Sequence, residues 1–227
     1  MKSILFYFLF SSLLCITACS PAYPTTTIEP IRVQYSFAAQ PWLANVNTCA
    51  NNYIVEAELR AADFQDPQSA AIVLRLGQPA NFNTPAYQIG TDDLLVITNP
   101  QNPLHNLTAD QVRGLFTGEI RTWSSINGSE TPVQAWVFSA GEDLQQIFEQ
   151  SVLGGSPVAS TARLAASPDE MLRAISEGVG AIGIINRRLQ TGNTSDVFTA
   201  ASILPVLAIT QSEPQGNLAQ IISCLKK

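Results

Sequence analysis

Hydrophobic positions along the chain alternate between the two-residue period of a strand and the longer period of a helix. Residues 31–37 alternate as a half-buried strand does, and Pro41 opens a helical stretch that ends at residue 51. Strand patterns also cover three further apolar segments, 53–59, 71–76 and 94–98. This order of elements predicts an α/β fold that begins with a parallel sheet and helical crossovers.

The pattern changes after the Pro- and Asn-rich segment 99–103, which indicates a crossover into a second structural unit. Thr108 and Gln111 have the spacing of a capping box, which predicts a short helix that ends at Gly118. The later segments with regular patterns are strands at 133–138, 178–185 and 204–209, and helices at 141–151, from Ser167 onward and at 218–225.

The first 18 residues have the pattern of a secretory signal peptide. Lys2 precedes an apolar run over 4–16 that is too short to span a bilayer comfortably. The run ends in Ile16-Thr17-Ala18-Cys19, which resembles the bacterial lipobox, whose cysteine is acylated and becomes the new N-terminus. The alternative is an ordinary secretory signal that is cleaved near Ala18.

Lipidation of Cys19, which we expect to include a palmitate chain, would anchor the protein to the outer face of the cell membrane. The residues that follow the cysteine contain Pro and Thr, which suit an extended linker. We therefore expect an extracytoplasmic lipoprotein with a signal peptide at 1–18 and a lipidated tether at 19–29.

The composition excludes two classes of protein. Of the 227 residues, 46% are apolar and 13% are charged, which is too apolar for a disordered chain. The formal net charge is −6, and it becomes −7 if Lys2 leaves with the signal peptide. A nucleic-acid-binding protein needs a basic face, and this acidic chain has no Lys/Arg cluster.

Motifs of enzymes are weak or missing in the sequence. His105 is the only histidine, and the chain contains no Gly-x-Ser-x-Gly motif and no Cys/His cluster with metal-ligand spacing. We expect no enzymatic activity, no cofactor and no bound metal.

Cys49 and Cys224 form an even pair if Cys15 leaves with the signal peptide and Cys19 carries lipid. An even pair in an oxidising compartment favours a disulfide, here between the start of the folded domain and its last helix. Such a bond would stabilise the fold by up to about 3–5 kcal/mol. The alternative is two buried free thiols.

The segment 106–128, Asn-Leu-Thr-Ala-Asp-Gln-Val-Arg-Gly-Leu-Phe-Thr-Gly-Glu-Ile-Arg-Thr-Trp-Ser-Ser-Ile-Asn-Gly, resembles the part of phosphate-type periplasmic substrate-binding proteins that opens the second lobe. Three further features occur in the family's order: 87–90, Phe148-Glu149 and 180–183. The resemblance implies a class II periplasmic-binding-protein fold, with two α/β lobes joined by two crossing strands and a ligand cleft between them. Lobe one would contain 30–97 and 198–227, and lobe two 98–197.

The resemblance also implies an oxyanion site made of helix N-terminal amides and short hydroxyl side chains. The family's second-lobe turn is of the Gly-Ser-Gly-Thr type, with an Arg a few residues earlier. Here the turn keeps Ser139 and Gly141, lacks the Arg and the Thr, and contains Glu142 and Asp143. These carboxylates either favour the start of the next helix or compete with a bound anion, at about 1–4 kcal/mol for a like-charge contact at about 4 Å.

Three more residues complete the predicted ligand site. Ser36 is the hydroxyl residue in the turn after strand one, and Ser167 is either a ligand contact or a plain N-cap. Arg75 interrupts an apolar strand, and a buried arginine needs a partner, such as a charged ligand. The alternative is an ion pair with an aspartate at the lobe edge: Asp63, Asp92 or Asp93.

Together these features predict a monomeric solute-binding protein of an ABC-type uptake system, which closes its lobes on a small ligand and presents it to a permease. Inorganic oxyanions such as phosphate are the first ligand class that we expect, and small polar organic molecules the second. The alternative is a degenerate binding-protein domain that serves as a non-transport envelope interaction or sensor module, which the missing Arg and Thr favour.

Overall fold

The computed structural model of the protein describes residues 29–79, 83–199 and 203–227. The predicted signal peptide, Cys19 and nearly all of the predicted tether lie outside these ranges. Within them, no helix has the length and apolar character that crossing a membrane requires.

The described ranges contain ten strands and five α-helices. The strands are β1 (Ile31–Tyr35), β2 (Val55–Leu59), β3 (Ile72–Leu76), β4 (Ala86–Asp92), β5 (Leu94–Thr98), β6 (Gln134–Val137), β7 (Arg163–Leu164), β8 (Ala181–Asn186), β9 (Ser195–Thr199) and β10 (Leu204–Ile209). The helices are α1 (Leu43–Ala50), α2 (Ala109–Thr117), α3 (Asp143–Ser151), α4 (Pro168–Glu177) and α5 (Gly216–Leu225).

The described strands form two five-stranded sheets, with the orders β2-β1-β3-β10-β4 and β7-β6-β8-β5-β9. In the first sheet β1 runs parallel to β2 and β3, whereas β10 runs antiparallel to β3 and β4. The prediction of a parallel first sheet was therefore wrong for the pairs that β10 forms with β3 and β4. The physical reason is that the chain returns from the second sheet and inserts β10 between β3 and β4.

The chain passes between the two sheets twice. The first passage is at Asp93, because β4 pairs in the first sheet and β5 pairs with β8 and β9 in the second. The second passage joins β9 to β10. We call the first sheet with α1 and α5 lobe one, and the second sheet with α2, α3 and α4 lobe two. Strand pairing thus changes sheet at residue 93, whereas the expected range of lobe one extended to residue 97.

The predicted capping box forms at the start of α2. The Thr108 hydroxyl accepts a hydrogen bond from the Gln111 amide (3.2 Å), and the Gln111 side-chain oxygen accepts one from the Thr108 amide (2.9 Å). The helix ends at Gly118, which has φ +79° and so the left-handed conformation that favours glycine. The Trp123 indole then donates to the Gly180 carbonyl (3.0 Å), which ties this segment to the start of β8.

Cys49 on α1 and Cys224 on α5 lie side by side in lobe one, where the two helices pack against each other. Their Cα atoms are 5.7 Å apart across a sequence separation of 175 residues, and their sulfur atoms are in bonding contact. This Cα separation is within the usual range for a disulfide. The pair therefore joins the first helix of the fold to the last.

Candidate functional site

The start of α3 lies at the junction of the two lobes. This helix packs against β8 of its own lobe and against β3 of lobe one. The carboxyl ends of β1 and β3 bring Ser36, Arg75 and Leu76 to the same place, because these parallel strands end at one edge of their sheet. The candidate site is thus built from two strand ends in lobe one and one helix N-terminus in lobe two.

Asp143, the first residue of α3, reaches across this junction with its carboxylate. Its Oδ2 atom accepts hydrogen bonds from the Ser36 hydroxyl (2.6 Å) and from the Leu76 amide (2.7 Å), both in lobe one. Its Oδ1 atom accepts from the Leu144 amide (2.8 Å). The residue is 1% exposed, so the carboxylate is buried with hydrogen bonds from both lobes.

Ser36 itself is fully buried and is held in place by its own turn. Its hydroxyl oxygen accepts a hydrogen bond from the Ala39 amide (3.3 Å), which leaves the hydroxyl hydrogen for Asp143. Burial raises the pKa of the Asp143 carboxyl, whereas its three hydrogen bonds and the charge of Arg75 oppose that shift. The hydrogen-bond donors favour the ionised carboxylate because it can only accept.

Arg75 is buried on β3, with 6% of its surface exposed. Its Nε atom has no hydrogen-bond partner, and its guanidinium forms no salt bridge within the described residues. Burial lowers the pKa of Arg75, and the nearby carboxylates of Asp143 and Asp63 counteract this effect. Arg75 therefore supplies a buried positive charge to the junction without a direct ionic partner.

The three aspartates that we considered as partners of Arg75 all bind other groups. Asp63 accepts a hydrogen bond from the Gln146 side chain (2.7 Å), and Asp92 accepts one from the Asn186 side chain (2.7 Å). Asp93 pairs with Arg187 (2.8 Å) at the surface. Among the described residues none of the three forms a salt bridge with Arg75, so the expected ion pair at the lobe edge is not found, and Asp63 acts on Arg75 only through its charge.

Glu142 precedes α3 and is also buried, with 7% of its surface exposed. Its Oε2 atom has no hydrogen-bond partner among the described residues. Burial raises the pKa of Glu142 to about 7, and the charges of Asp143 and Asp63 contribute to the same shift. This carboxyl group can therefore gain or lose a proton near neutral pH.

Direct contacts hold the two lobes together beside these carboxylates. The Asp63 amide of lobe one donates to the Gly141 carbonyl of lobe two (3.1 Å), and the Asp63 carboxylate accepts from Gln146. Farther along the junction, the Asn186 side chain of lobe two donates to the Ala38 carbonyl (3.2 Å). The lobes are therefore closed against each other.

The space that remains between the lobes is small. A cavity of about 10 Å³ lies next to Glu142 and Asp143, and Phe37, Phe138 and Ile185 provide part of its apolar lining. A volume of this size holds at most one water molecule. This cavity beside Glu142 and Asp143 is therefore too small for a solute.

The structure brings five of the seven predicted ligand residues to the junction: Ser36, Arg75, Gly141, Glu142 and Asp143. Ser139 is exposed, and its carbonyl accepts from the Glu142 amide within the turn (3.0 Å). The Ser167 hydroxyl accepts from the Glu170 amide (3.2 Å) and caps α4. Of the two roles that the sequence allowed for Ser167, ligand contact or N-cap, the side chain has that of an N-cap.

Three contributors to the junction were not predicted as such from the sequence. Asn186 ends the otherwise apolar strand β8, so its polar side chain was a detectable signal. Gln146 is one of several glutamines on α3, and nothing in the sequence distinguishes it. The Leu76 donor is a backbone amide, which residue type cannot reveal.

Comparison with known proteins identifies the family. The model of the PBP superfamily domain matches residues 69–223, which is more than half of the chain. The chain therefore belongs to the PBP superfamily, and the predicted periplasmic-binding-protein fold is confirmed.

Solved structures place the fold close to phosphate receptors. A protein from Clostridium perfringens, assigned as a phosphate ABC transporter substrate-binding protein and solved with bound phosphate, is 17% identical, with a TM-score of 0.78 over 87% of this chain and 93% of that chain. An ABC-type phosphate transport receptor from Vibrio cholerae is 18% identical, with a TM-score of 0.68 over the same shares, 87% and 93%. The predicted likeness to phosphate-type binding proteins is confirmed at the level of the fold.

The fold is also found outside transport. CbnR, a LysR family transcriptional regulator, is 14% identical, with a TM-score of 0.59 over 87% of this chain and 68% of that chain. The fold alone therefore does not decide between transport and regulation, and the decision depends on the site.

Proposed function

We propose that the protein is an extracytoplasmic solute-binding lipoprotein that captures a small solute at the lobe junction and presents it to an ABC-type permease. The observation that carries this proposal is the convergence of groups from both lobes on one point. Lobe one supplies the Ser36 hydroxyl, the Leu76 amide and the buried Arg75, and lobe two supplies the N-terminus of α3. Such a combination can hold a polar solute between two lobes.

Lobe closure provides the mechanism. A solute that contacts both lobes favours a form in which the lobes close around it, and so shifts the population away from the open form. Because the cavity beside Asp143 is smaller than a solute, we expect this solute-bound form to be wider at the junction than the solute-free closed form. In the closed form Asp63 already bonds to Gly141 and Gln146. Because the remaining cavity holds no more than one water molecule, a solute has to enter while the lobes are apart.

The expected cellular location is consistent with this role. Cys19 would carry the lipid and the tether would hold the folded domain at the membrane surface, where the Cys49–Cys224 pair would be oxidised. Mass spectrometry of the protein alkylated without reductant should find no free thiol at Cys49 or Cys224. Two alkylated thiols would contradict the disulfide. The proposal assigns no catalytic residue and no cofactor.

A thermal-shift screen tests solute binding. The panel contains phosphate, sulfate, molybdate, amino acids and small polar amines, since a solute at about 100 times its Kd should stabilise the protein by about 2.7 kcal/mol. We expect at least one solute to raise the Tm, and the shift to disappear in Arg75→Gln. Arg32→Gln is the matched control because Arg32 is an exposed arginine on β1, and it should retain the shift.

A second candidate function is a non-transport envelope interaction or sensor module. The specific observation in its favour is that Asp143 already occupies the hydrogen-bond donors at the junction. The screen separates the two candidates. A wild-type protein that responds to no solute in the panel would support the module and contradict solute capture.

A further inference from the structure

We infer that the carboxylate of Asp143 is an internal ligand, which occupies the oxyanion position of the cleft, holds the lobes closed without solute and selects against inorganic oxyanions. This inference rests on the proposed function, because it takes the lobe junction to be the solute site. It concerns the specificity of that site and identifies Asp143 as the residue that determines it.

The contacts of Asp143 are those that a bound oxyanion would make. Its two oxygen atoms take one hydroxyl hydrogen and two amide hydrogens, with distances of 2.6, 2.7 and 2.8 Å. These donors come from both lobes and lie at a helix N-terminus, near the buried Arg75. Hydroxyls, amides and a guanidinium are the groups that proteins use to hold phosphate and sulfate.

Each of these donors has one hydrogen to give, so it is not free for a second acceptor. The Ser36 hydroxyl and the Leu76 amide both donate to Asp143. Among the described residues, neither group donates to any other side chain. A tetrahedral oxyanion at this place would have to displace the carboxylate. It would also need more space than the cavity of about 10 Å³ provides.

The charges of the junction act in the same direction. The carboxylates of Asp143 and Asp63 lie near both Glu142 and Arg75, and Arg75 is the cation beside them. A phosphate dianion would therefore meet more negative than positive charge. The charges at the junction therefore disfavour inorganic oxyanions relative to uncharged or cationic polar solutes.

Substitution of the carboxylate should convert the site into an oxyanion site. In Asp143→Thr the hydroxyl of Ser36 and the amide of Leu76 become available, and one of the local negative charges is removed. Asp169→Thr is the matched control, because Asp169 is an exposed acidic residue in the first turn of α4. Isothermal titration of inorganic phosphate into each full-length protein measures the difference.

We expect wild type and Asp169→Thr to bind phosphate equally weakly, and Asp143→Thr to bind it at least about fivefold more tightly. Removal of one like-charge contact of about 1–4 kcal/mol corresponds to a gain in affinity of about fivefold to several hundredfold. Small-angle scattering should show Asp143→Thr to be more open than wild type without solute and closed again with phosphate. Equal phosphate affinity in wild type and Asp143→Thr would overturn the inference.

The outcomes distinguish this inference from the proposed function. If wild type binds phosphate tightly, solute capture stands and the role of Asp143 fails. If wild type binds no solute of the thermal-shift panel but Asp143→Thr binds phosphate, the role of Asp143 stands and solute capture fails. If Asp143→Thr does not fold, the wild-type titration decides: tight phosphate binding overturns the inference, and its absence supports it.

Discussion

Helices α3 and α4 both begin with acidic residues, but the carboxylates act in different ways. At α4 the Ser167 hydroxyl caps the helix, and the Glu170 carboxylate accepts from the Ala166 amide (2.8 Å), so both bonds are local. At α3 the Asp143 carboxylate bonds to Ser36, 107 residues away in the sequence and in the other lobe. The same sequence signal therefore serves helix capping in one case and contact between lobes in the other.

This difference shows what decides the role of an acidic residue at a helix start. The α4 N-terminus is partly exposed and supplies its own cap, whereas no side chain caps α3 locally. Asp143 is buried by the opposing lobe, which supplies its donors. Its role therefore depends on lobe closure, and the following substitutions test that dependence.

The largest effect should come from Asp143→Ala. The change leaves the Ser36 hydroxyl and the Leu76 amide without their acceptor and Arg75 with less compensating charge, so we expect a loss of about 3 kcal/mol in the free energy of unfolding. Urea denaturation measures it. Asp169→Ala at the exposed start of α4 should change stability by no more than about 0.5 kcal/mol. Equal losses in the two variants would remove the distinction between the helices.

Ser36→Ala should have the next largest effect. It removes one hydrogen bond to a charged and buried acceptor, which is a loss of about 2 kcal/mol. Denaturation in urea and scattering without solute should show a less stable and more open protein. Ser139→Ala is the control, because Ser139 is an exposed serine in the turn before α3. A Ser36→Ala protein as stable and as compact as wild type would contradict the bond between the lobes.

Glu142 should make stability depend on pH. Its pKa is raised from an ordinary 4.5 to about 7 in the folded protein, so the folded state binds the proton more tightly than the unfolded state. This stabilising contribution is fully present below pH 4.5 and is lost as the pH rises through about 7. Asp143 shifts in the same direction because burial also raises its pKa.

Urea denaturation between pH 5 and pH 8 checks this effect in Glu142→Gln. Relative to the variant, wild type should lose about 1–2 kcal/mol of stability across that range. Glu119 is an exposed glutamate, and Glu119→Gln should follow the wild-type curve. A wild-type curve parallel to that of Glu142→Gln would show that Glu142 does not titrate differently in the folded state.

The smallest effect should come from Ser167→Ala at α4. Loss of an N-cap hydrogen bond costs about 1 kcal/mol, and the lobes should remain closed because Ser167 makes no bond across the junction. Denaturation and scattering together check both parts. An open Ser167→Ala protein would mean that α4, and not only α3, controls closure.

The sequence allowed the central strands and the capped helix α2 to be predicted, because their signals are local. β3 and β8 are fully buried, and each is apolar except for one residue, Arg75 and Asn186 respectively. Three edge strands, β4, β7 and β9, were not predicted: polar residues interrupt the pattern of β4 and β9, and β7 has only two residues. The edge strand β2 was predicted from its alternating pattern, so local hydrophobic patterning identifies the core strands and is less dependable at sheet edges.

The candidate site was predictable in its residues but not in its bonds. The family resemblance of their turns drew attention to Ser36, Glu142 and Asp143, and Arg75 was noted because it interrupts an apolar strand. Their arrangement depends on contacts between distant segments, such as the Leu76 amide with Asp143 across 67 residues. The sequence therefore suggested competition between a carboxylate and an anion, and the structure identifies the atoms that would compete.

The central claim is that Asp143 closes the lobes in place of a solute. Small-angle scattering of solute-free wild type and Asp143→Thr, with Asp169→Thr as control, measures this most directly. We expect a compact wild type and control, and a larger radius of gyration for Asp143→Thr that phosphate reverses. Identical scattering from all three solute-free proteins, or an open wild type, would contradict it.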